Sequence, residues 1–230
     1  MLFGEMMKSI DFHAHVLPNA DHGSDSIEVS LKQIKYAHNA GVNIVVATPH
    51  FYPHIHNVPS FVSKRDKAAE ELIFAANAEF PDIKIIKGAE VLICEGLEKL
   101  PMLEKLCIEN TKTILIELPF SGFKLAHVET IEAIIALGYD IVIAHADRYD
   151  PEDIDELLPL GVKIQLNASA LAVPFIRKHI KAWINGGFVV AIGSDIHMKD
   201  SSAYARFLRA IRKLGKNYDK VMEASNKILG

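Results

Sequence analysis

Asp11-Phe12-His13-Ala14-His15 sets two histidines two residues apart in an apolar context, and Ser194-Asp195-Ile196-His197 repeats the alternation near the other end of the chain. On an extended segment, residues two apart project to the same side, so each pair can converge on one ion. The sequence holds eleven histidines, most of them grouped with acids. His50, Glu90, Glu117, His145 and Asn167 each stand at or just beyond the end of a short apolar run. Neutral imidazoles mixed with carboxylates suit zinc, manganese or iron, whereas calcium takes almost all-oxygen shells. Glu90, Glu117, Asp195 and Asp21 would repel one another in one mouth unless cationic charge compensated them, so more than one metal ion is expected. Clustered divalent ions lower the pKa of bound water toward ~7 and neutralise phosphoryl oxygens, which is the chemistry of metal-assisted hydrolysis. Glu117 also has a plain structural use, as the partner of a backbone amide or an arginine.

Such a mouth needs strands that all deliver their ends to one side. Apolar runs at Ser9–Phe12, Val42–Ala47, Ile83–Lys87, Thr113–Leu118, Ile141–Ala144, Val162–Leu166 and Val189–Ile192 predict seven strands. Helical patterns fall between them. Ile27, Leu31, Ile34 and Ala37 form one stripe that stops at Gly41, and further helices are expected over about 63–78, 126–137, 152–158, 175–185 and 203–214, with a last one ending near Leu229. Strand and helix in alternation predict an α/β fold with a parallel sheet, either a distorted barrel or an open doubly wound sheet. Both gather ligands at the carboxyl ends of the strands, where the histidines and acids already lie.

Composition removes other classes. At 230 residues, 50% hydrophobic and 23% charged, with no linker or abrupt shift, the chain reads as one folded domain across 1–230. A net charge of −4 gives no general pull toward nucleic acid. Cys94 and Cys107 have neither metal-knuckle nor redox spacing, and a cysteine-dependent phosphatase would need an arginine six residues after its thiolate, where this chain has Leu100 and Thr113. The first ten residues lack the pattern of a secretory leader, and no apolar run approaches the roughly 18 residues of a membrane span, so a cytoplasmic location and no transmembrane segment are expected.

The segments DFHAHVLPNADHG, ATPH, GAE, LIELPF, AHADRY, QLNAS and GSDIH occur in this order from about residue 9 to the C-terminus. With them the chain resembles the polymerase and histidinol phosphatase (PHP) superfamily, and within it the bacterial manganese-dependent tyrosine-protein phosphatases of capsule and exopolysaccharide clusters. The resemblance implies a distorted seven-stranded (β/α)7 barrel of the PHP type. It implies a centre of three divalent ions, manganese first with iron or zinc as alternatives, ligated by His13, His15, His50, Glu90, Glu117, His145, Asp195 and His197. It assigns phosphate binding and catalysis to Arg148, and it implies a phosphotyrosine protein as partner, such as a membrane-associated tyrosine kinase of polysaccharide synthesis.

Two departures from the family pattern matter. Where the family has Asp-Asp-Gly this chain has Asp21-His22-Gly23. His22 then takes a ligand position and raises the charge of the site by one, which either moves the metal preference toward iron or zinc or leaves the third site weakly filled. A second phosphate-contacting arginine a few residues after the last histidine is replaced by Met198-Lys199-Asp200-Ser201-Ser202, which leaves Lys199 or Arg206 to substitute. Asn167 either donates to phosphate or is a structural amide.

His54 and His56 repeat the two-residue spacing, but in a proline-containing loop rather than at a strand end. His38, His127 and His179 lie in helical patterns and are expected to pack or to face solvent. Arg206, Arg209, Arg212, Lys213 and Lys216 form a solvated helix face or a strip for an acidic phosphotyrosine-rich tail. The leading reading is a metal-dependent protein-tyrosine phosphatase. Alternatives are hydrolysis of histidinol phosphate or another small phosphomonoester, and a non-catalytic metal-binding regulatory module. A tyrosine leaving group, with a pKa of about 10, needs little help from a general acid, and no such acid is identifiable.

Overall fold

The computed structural model describes residues 8–120 and 122–230; most of the N-terminal stretch read for a leader pattern lies outside them. Every predicted apolar run forms a strand, and two short strands that were not predicted, His50–Phe51 and Glu90–Leu92, follow the second and third runs, giving nine among the described residues. In chain order the elements are β1 (Ile10–Ala14), α1 (Ile27–Asn39), β2 (Ile44–Ala47), β3 (His50–Phe51), α2 (Val58–Glu79), β4 (Lys84–Lys87), β5 (Glu90–Leu92), β6 (Thr113–Glu117), α3 (Leu125–Ala136), β7 (Asp140–Ile143), α4 (Pro151–Leu157), β8 (Lys163–Asn167), α5 (Ala168–Leu171), α6 (Lys178–Asn185), β9 (Val189–Gly193), α7 (Ala203–Leu214) and α8 (Lys216–Leu229).

All strand pairings are parallel. One sheet runs β1-β2-β4 and the other β3-β5-β6-β7-β8-β9. The steps between them fall at Thr48-Pro49 and Gly88-Ala89. Proline has no N–H to continue the ladder, and a Cβ on Gly88 would stand 3.3 Å from Thr48 Cγ2, so the two breaks pack tightly against each other. Beyond the breaks, His50 pairs in register with Glu90, which brings two candidate ligands side by side. Backbone bonds from Asp195 N to His13 O (2.8 Å) and from His15 N to Ile196 O (3.2 Å) link the segment after β9 to the end of β1.

The helices follow their local signals. Ser26 caps α1 by accepting from Val29 N, Ile34 and Ala37 are buried, and Gly41 at φ +74° turns the chain out of the helix. Helix α2 starts at Val58, earlier than predicted, because Asn57 caps it through Ser60 N and Pro59 is tolerated in the first turn. The final helix closes the far end of the sheet: Ser225 Oγ donates to Val190 O at 2.6 Å, and the Tyr218 and Ser9 hydroxyls lie 2.7 Å apart. Among the described residues no helix is long and apolar enough to cross a membrane.

Candidate metal centre

His13, His15, His50 and His145 all reach one carboxylate. Glu90 Oε2 lies 3.2 Å from His13 Nε2, 3.2 Å from His15 Nε2 and 2.9 Å from His50 Nδ1, while Glu90 Oε1 lies 2.7 Å from His145 Nε2. Three donor groups are compact enough to share an ion: His13-His15-Glu90, His50-Glu90-Glu117 and His15-His50-His197. The sequence-predicted ligands therefore converge from the carboxyl ends of six different strands or the turns just after them.

Hydrogen bonds on the far side of the rings fix which nitrogen faces the mouth. Gln165 Oε1 accepts from the backbone N–H of His145 (2.6 Å), which identifies it as the oxygen, so His13 Nδ1 at 3.0 Å must donate to it. His15 Nδ1 donates to Asp21 Oδ2 (2.6 Å), and His197 Nδ1 donates to Asp195 O (3.0 Å). Each ring thereby turns its Nε2 inward. His13 Nε2 and His15 Nε2 lie 3.1 Å apart beside Glu90 Oε2. Glu90 Oε2 and His50 Nδ1 are buried and have no hydrogen-bond partner. Imidazole nitrogens and carboxylate oxygens crowded in this way suit divalent cations, so the donor set fits the metal ions that the resemblance implies.

The groups of the cluster shift one another's proton affinities in both directions. Burial, reinforced by the charge of Glu90, pushes the Glu117 carboxyl up to about 7. Burial disfavours a charged His15, but its bonds to Asp21 and Glu90 outweigh this and raise it to about 10. Burial would likewise raise Asp195, yet the neighbouring His13, His15 and Arg148 hold it at about 2. Burial takes His197 down to about 4, with His15 beside it adding to the effect. Divalent charge would relieve the repulsion between Glu90 and Glu117 without borrowing protons.

The backbone is bent to bring these groups in. His145 has φ +31° and Asp195 φ +51°, a region that side-chain-bearing residues seldom adopt and that concentrates at functional sites. Two glycines are required by contact instead. A Cβ on Gly23 would stand 2.1 Å from His15 Cβ, and one on Gly193 would stand 2.5 Å from His13 Cβ.

The mouth opens as a cleft of about 520 Å³ whose rim includes His22, Tyr52, Phe120 and Arg148. A larger groove of about 620 Å³ at the opposite ends of β6 to β9 contains none of the candidate ligands. His22 is exposed at the rim, its ring near-parallel to that of His50 at 4.9 Å and 4.8 Å from that of His197; it belongs to none of the three compact donor groups. Asp21 does not line the cleft as a bridging carboxylate would, and its oxygens accept from His15 Nδ1, Gly23 N and His50 N. Arg148 stands partly exposed on the turn after β7 and donates to Asp195 Oδ2, not to Asp147 or Asp150.

Three substrate-binding expectations meet a different geometry. Asn167 is buried, donates to Asp195 Oδ2 (3.0 Å) and accepts from Gln165 Nε2 (3.0 Å), so its amide holds a ligand and is not free for phosphate. Arg206 is bonded to Asp200 and Ser202 at the start of α7 and does not line the cleft; Asp200, on the adjoining turn, is the nearer anion. Lys199 is exposed and also outside the cleft lining.

Residues 9–229 match the family described as capsular polysaccharide synthesis, CpsB/CapC. The chain belongs to that family. It is 26% identical over 206 residues to the tyrosine-protein phosphatase CpsB of Streptococcus agalactiae serotype V, covering 83% of this chain and 84% of the relative. It is 28% identical over 199 residues to the tyrosine-protein phosphatase YwqE of Bacillus subtilis, covering 82% and 77%. Its fold is that of the crystal structures of YwqE from Bacillus subtilis and CpsB from Streptococcus pneumoniae, described as unique metal-dependent tyrosine phosphatases. That match has a TM-score of 0.82 at 24% identity and covers 96% of this chain and 94% of the other.

Several supports of this CpsB/CapC site escaped the sequence reading. Gln165 ties His13, the His145 backbone and Asn167 together. The Tyr149 hydroxyl accepts from Leu118 N (3.0 Å) and meets His145 Nδ1 at 3.0 Å. Asp11 accepts from Ser194 N and from the Tyr204 hydroxyl, joining β1 to the chain after β9 and to α7. Gln165 and Asn167 alternate on β8 as the histidines do on β1, and that was the available signal. His54 and His56 stay outside the centre: His56 Nδ1 accepts from Tyr52 N at 3.1 Å and sets the loop. His127 likewise accepts from Lys124 N at the start of α3, while His38 lies against Phe80 and His179 against Trp183.

Proposed function

We propose that this chain is a metal-dependent phosphomonoesterase whose substrate is protein phosphotyrosine. The observation that carries the proposal is the convergence of His13, His15 and His50 on Glu90 Oε2, with Arg148 on the rim of the same cleft. The names borne by its relatives in Streptococcus agalactiae and Bacillus subtilis support tyrosine phosphate as the ester.

Divalent ions bound there, three in this reading and manganese first, would supply activated water and neutralise phosphoryl charge. His13, His15, His50, Glu90, Glu117, His145, Asp195 and His197 would hold them, with His22 as a further imidazole at the rim. Asp21, Gln165 and Asn167 orient the ligands. Arg148 offers a planar fork of donors to two phosphoryl oxygens, which a lysine cannot reproduce. The phenolate leaves without a dedicated acid, since its conjugate acid has a pKa of about 10.

In the same reading 1–230 is one phosphatase domain. Its strands form a distorted barrel of seven runs, with β2/β3 and β4/β5 each counting once as an interrupted strand. The partner is a membrane-associated tyrosine kinase of polysaccharide synthesis, met in the cytoplasm. The test is turnover with manganese of a phosphotyrosine peptide beside histidinol phosphate, with and without a chelator. Hydrolysis of the peptide that the chelator abolishes is expected. Activity indifferent to chelation overturns the reaction class, and a preference for histidinol phosphate overturns the substrate.

A further inference from the structure

Two aromatic side chains rise from the same cleft and have no part in holding ions. Phe120, three residues beyond Glu117, is 70% exposed. It lines the cleft together with Tyr52, Arg148 and Glu117. Its ring lies 6.2 Å from that of His145 at an interplanar angle of 14°. On the other side, the Tyr52 ring lies 5.1 Å from that of His50 at 18°. Glu90 receives His50 on one carboxylate oxygen and His145 on the other, so the two aromatic rings flank the Glu90–Glu117 side of the mouth.

Tyr52 is held in place twice. His56 Nδ1 accepts its backbone N–H, and the His56 ring lies near-parallel to its own at 6.0 Å and 16°. This gives His56 in the proline loop a use outside the metal centre. Phe120 is likewise anchored, 6.0 Å from the ring of Tyr149, whose hydroxyl meets His145.

We infer that Phe120 and Tyr52 are specificity-determining walls that take the aryl ring of the substrate while Arg148 takes its phosphoryl group. A planar ring between them gains offset or edge contacts that the short aliphatic stem of a phosphoserine cannot make. The exposed Phe120 then has an apolar partner when substrate is bound. This inference rests on the phosphomonoesterase reading, and its test separates the two.

The full-length protein is titrated in the presence of manganese with two non-hydrolysable probes, phenylphosphonate and methylphosphonate. Turnover is measured in parallel on a phosphotyrosine peptide and on the same peptide carrying phosphoserine. Phe120→Ala should reduce the preference for phenylphosphonate roughly twofold to tenfold. It should lower kcat/KM on the phosphotyrosine peptide through KM, with metal content unchanged. Phe120→Tyr should keep most of the preference, and Tyr52→Leu should lower it while Tyr52→Phe does not. An unchanged phenyl-to-methyl ratio in Phe120→Ala and Tyr52→Leu overturns the inference, as does an equal fall on both probes. If wild type turns over neither peptide yet prefers phenylphosphonate in a Phe120-dependent way, the walls stand and the phosphatase reading falls.

Discussion

Asp21 Oδ2 lies 2.6 Å from His15 Nδ1, and the same oxygen accepts from the backbone N–H of His50 at 3.1 Å. One carboxylate thereby orients one candidate ligand and anchors the strand that carries another. Asp21→Ala frees the His15 ring to choose the other tautomer. Loss of such an orienting partner typically costs about 10- to 100-fold in metal affinity. Competition with a chelating indicator should show this for manganese, and an unaltered affinity would make Asp21 a loop residue only.

Removing a ligand itself should act more severely. His13→Ala and Asp195→Ala are expected to lose both bound metal and turnover, whereas His179→Ala, a change beside Trp183 and away from the cleft, should keep both. Metal analysis beside kinetics checks this. Full metal content and full rate in the first two variants would refute the ligand assignment.

Arg148 bonds to Asp195 and remains partly exposed to the cleft. Arg148→Ala should spare metal binding and lower kcat/KM roughly tenfold to a hundredfold, the equivalent of losing a charge-assisted contact of about 1.5 to 3 kcal/mol. Arg148→Lys should recover only part of the loss. Normal kinetics with a lowered melting temperature would instead mean that Arg148 serves the Asp195 loop.

Gly193 sits where a Cβ would meet His13 Cβ at 2.5 Å and Gln165 Nε2 at 2.7 Å. Gly193→Ala therefore overpacks the strand beneath the centre. We expect a loss of about 1 to 3 kcal/mol in stability by denaturant unfolding, together with weakened metal binding because both displaced groups position His13.

Burial, with Glu104 nearby, pushes the Cys107 thiol up to about 12. Iodoacetamide at neutral pH should leave activity intact, since neither this thiol nor Cys94 takes part in the reaction. Below the ordinary thiol range both folded and unfolded states hold the proton; between about 9 and 12 only the folded state does, so the unfolded state gains as pH rises. Wild type should lose melting temperature relative to Cys107→Val across that interval, and parallel curves would contradict the shift.

His13 and His15 were legible from spacing alone, because alternation on an extended segment puts their side chains on one side, whereas Asp195 and His197 share the spacing but lie in the turn after β9, where Asp195 has φ +51°. Apolar runs likewise sufficed for seven strands and for the end of the sheet at which His50, Glu90, Glu117 and His145 lie, since burying a parallel strand demands a continuous apolar stretch, but not for the short β3 and β5. The interruptions at Pro49 and Gly88 were not legible, because a break in pairing is decided by the neighbouring strand. Nor could sequence show that Asn167 spends its amide on Asp195, that Arg206 is held by Asp200, or that Asp21 turns to His15. A polar side chain takes whichever partner the packed neighbours bring within about 3 Å, and Asn167 and Asp195 are brought together across 28 residues of chain. Residue type and period determine which groups can do chemistry; tertiary packing alone decides which of them remain free to do it.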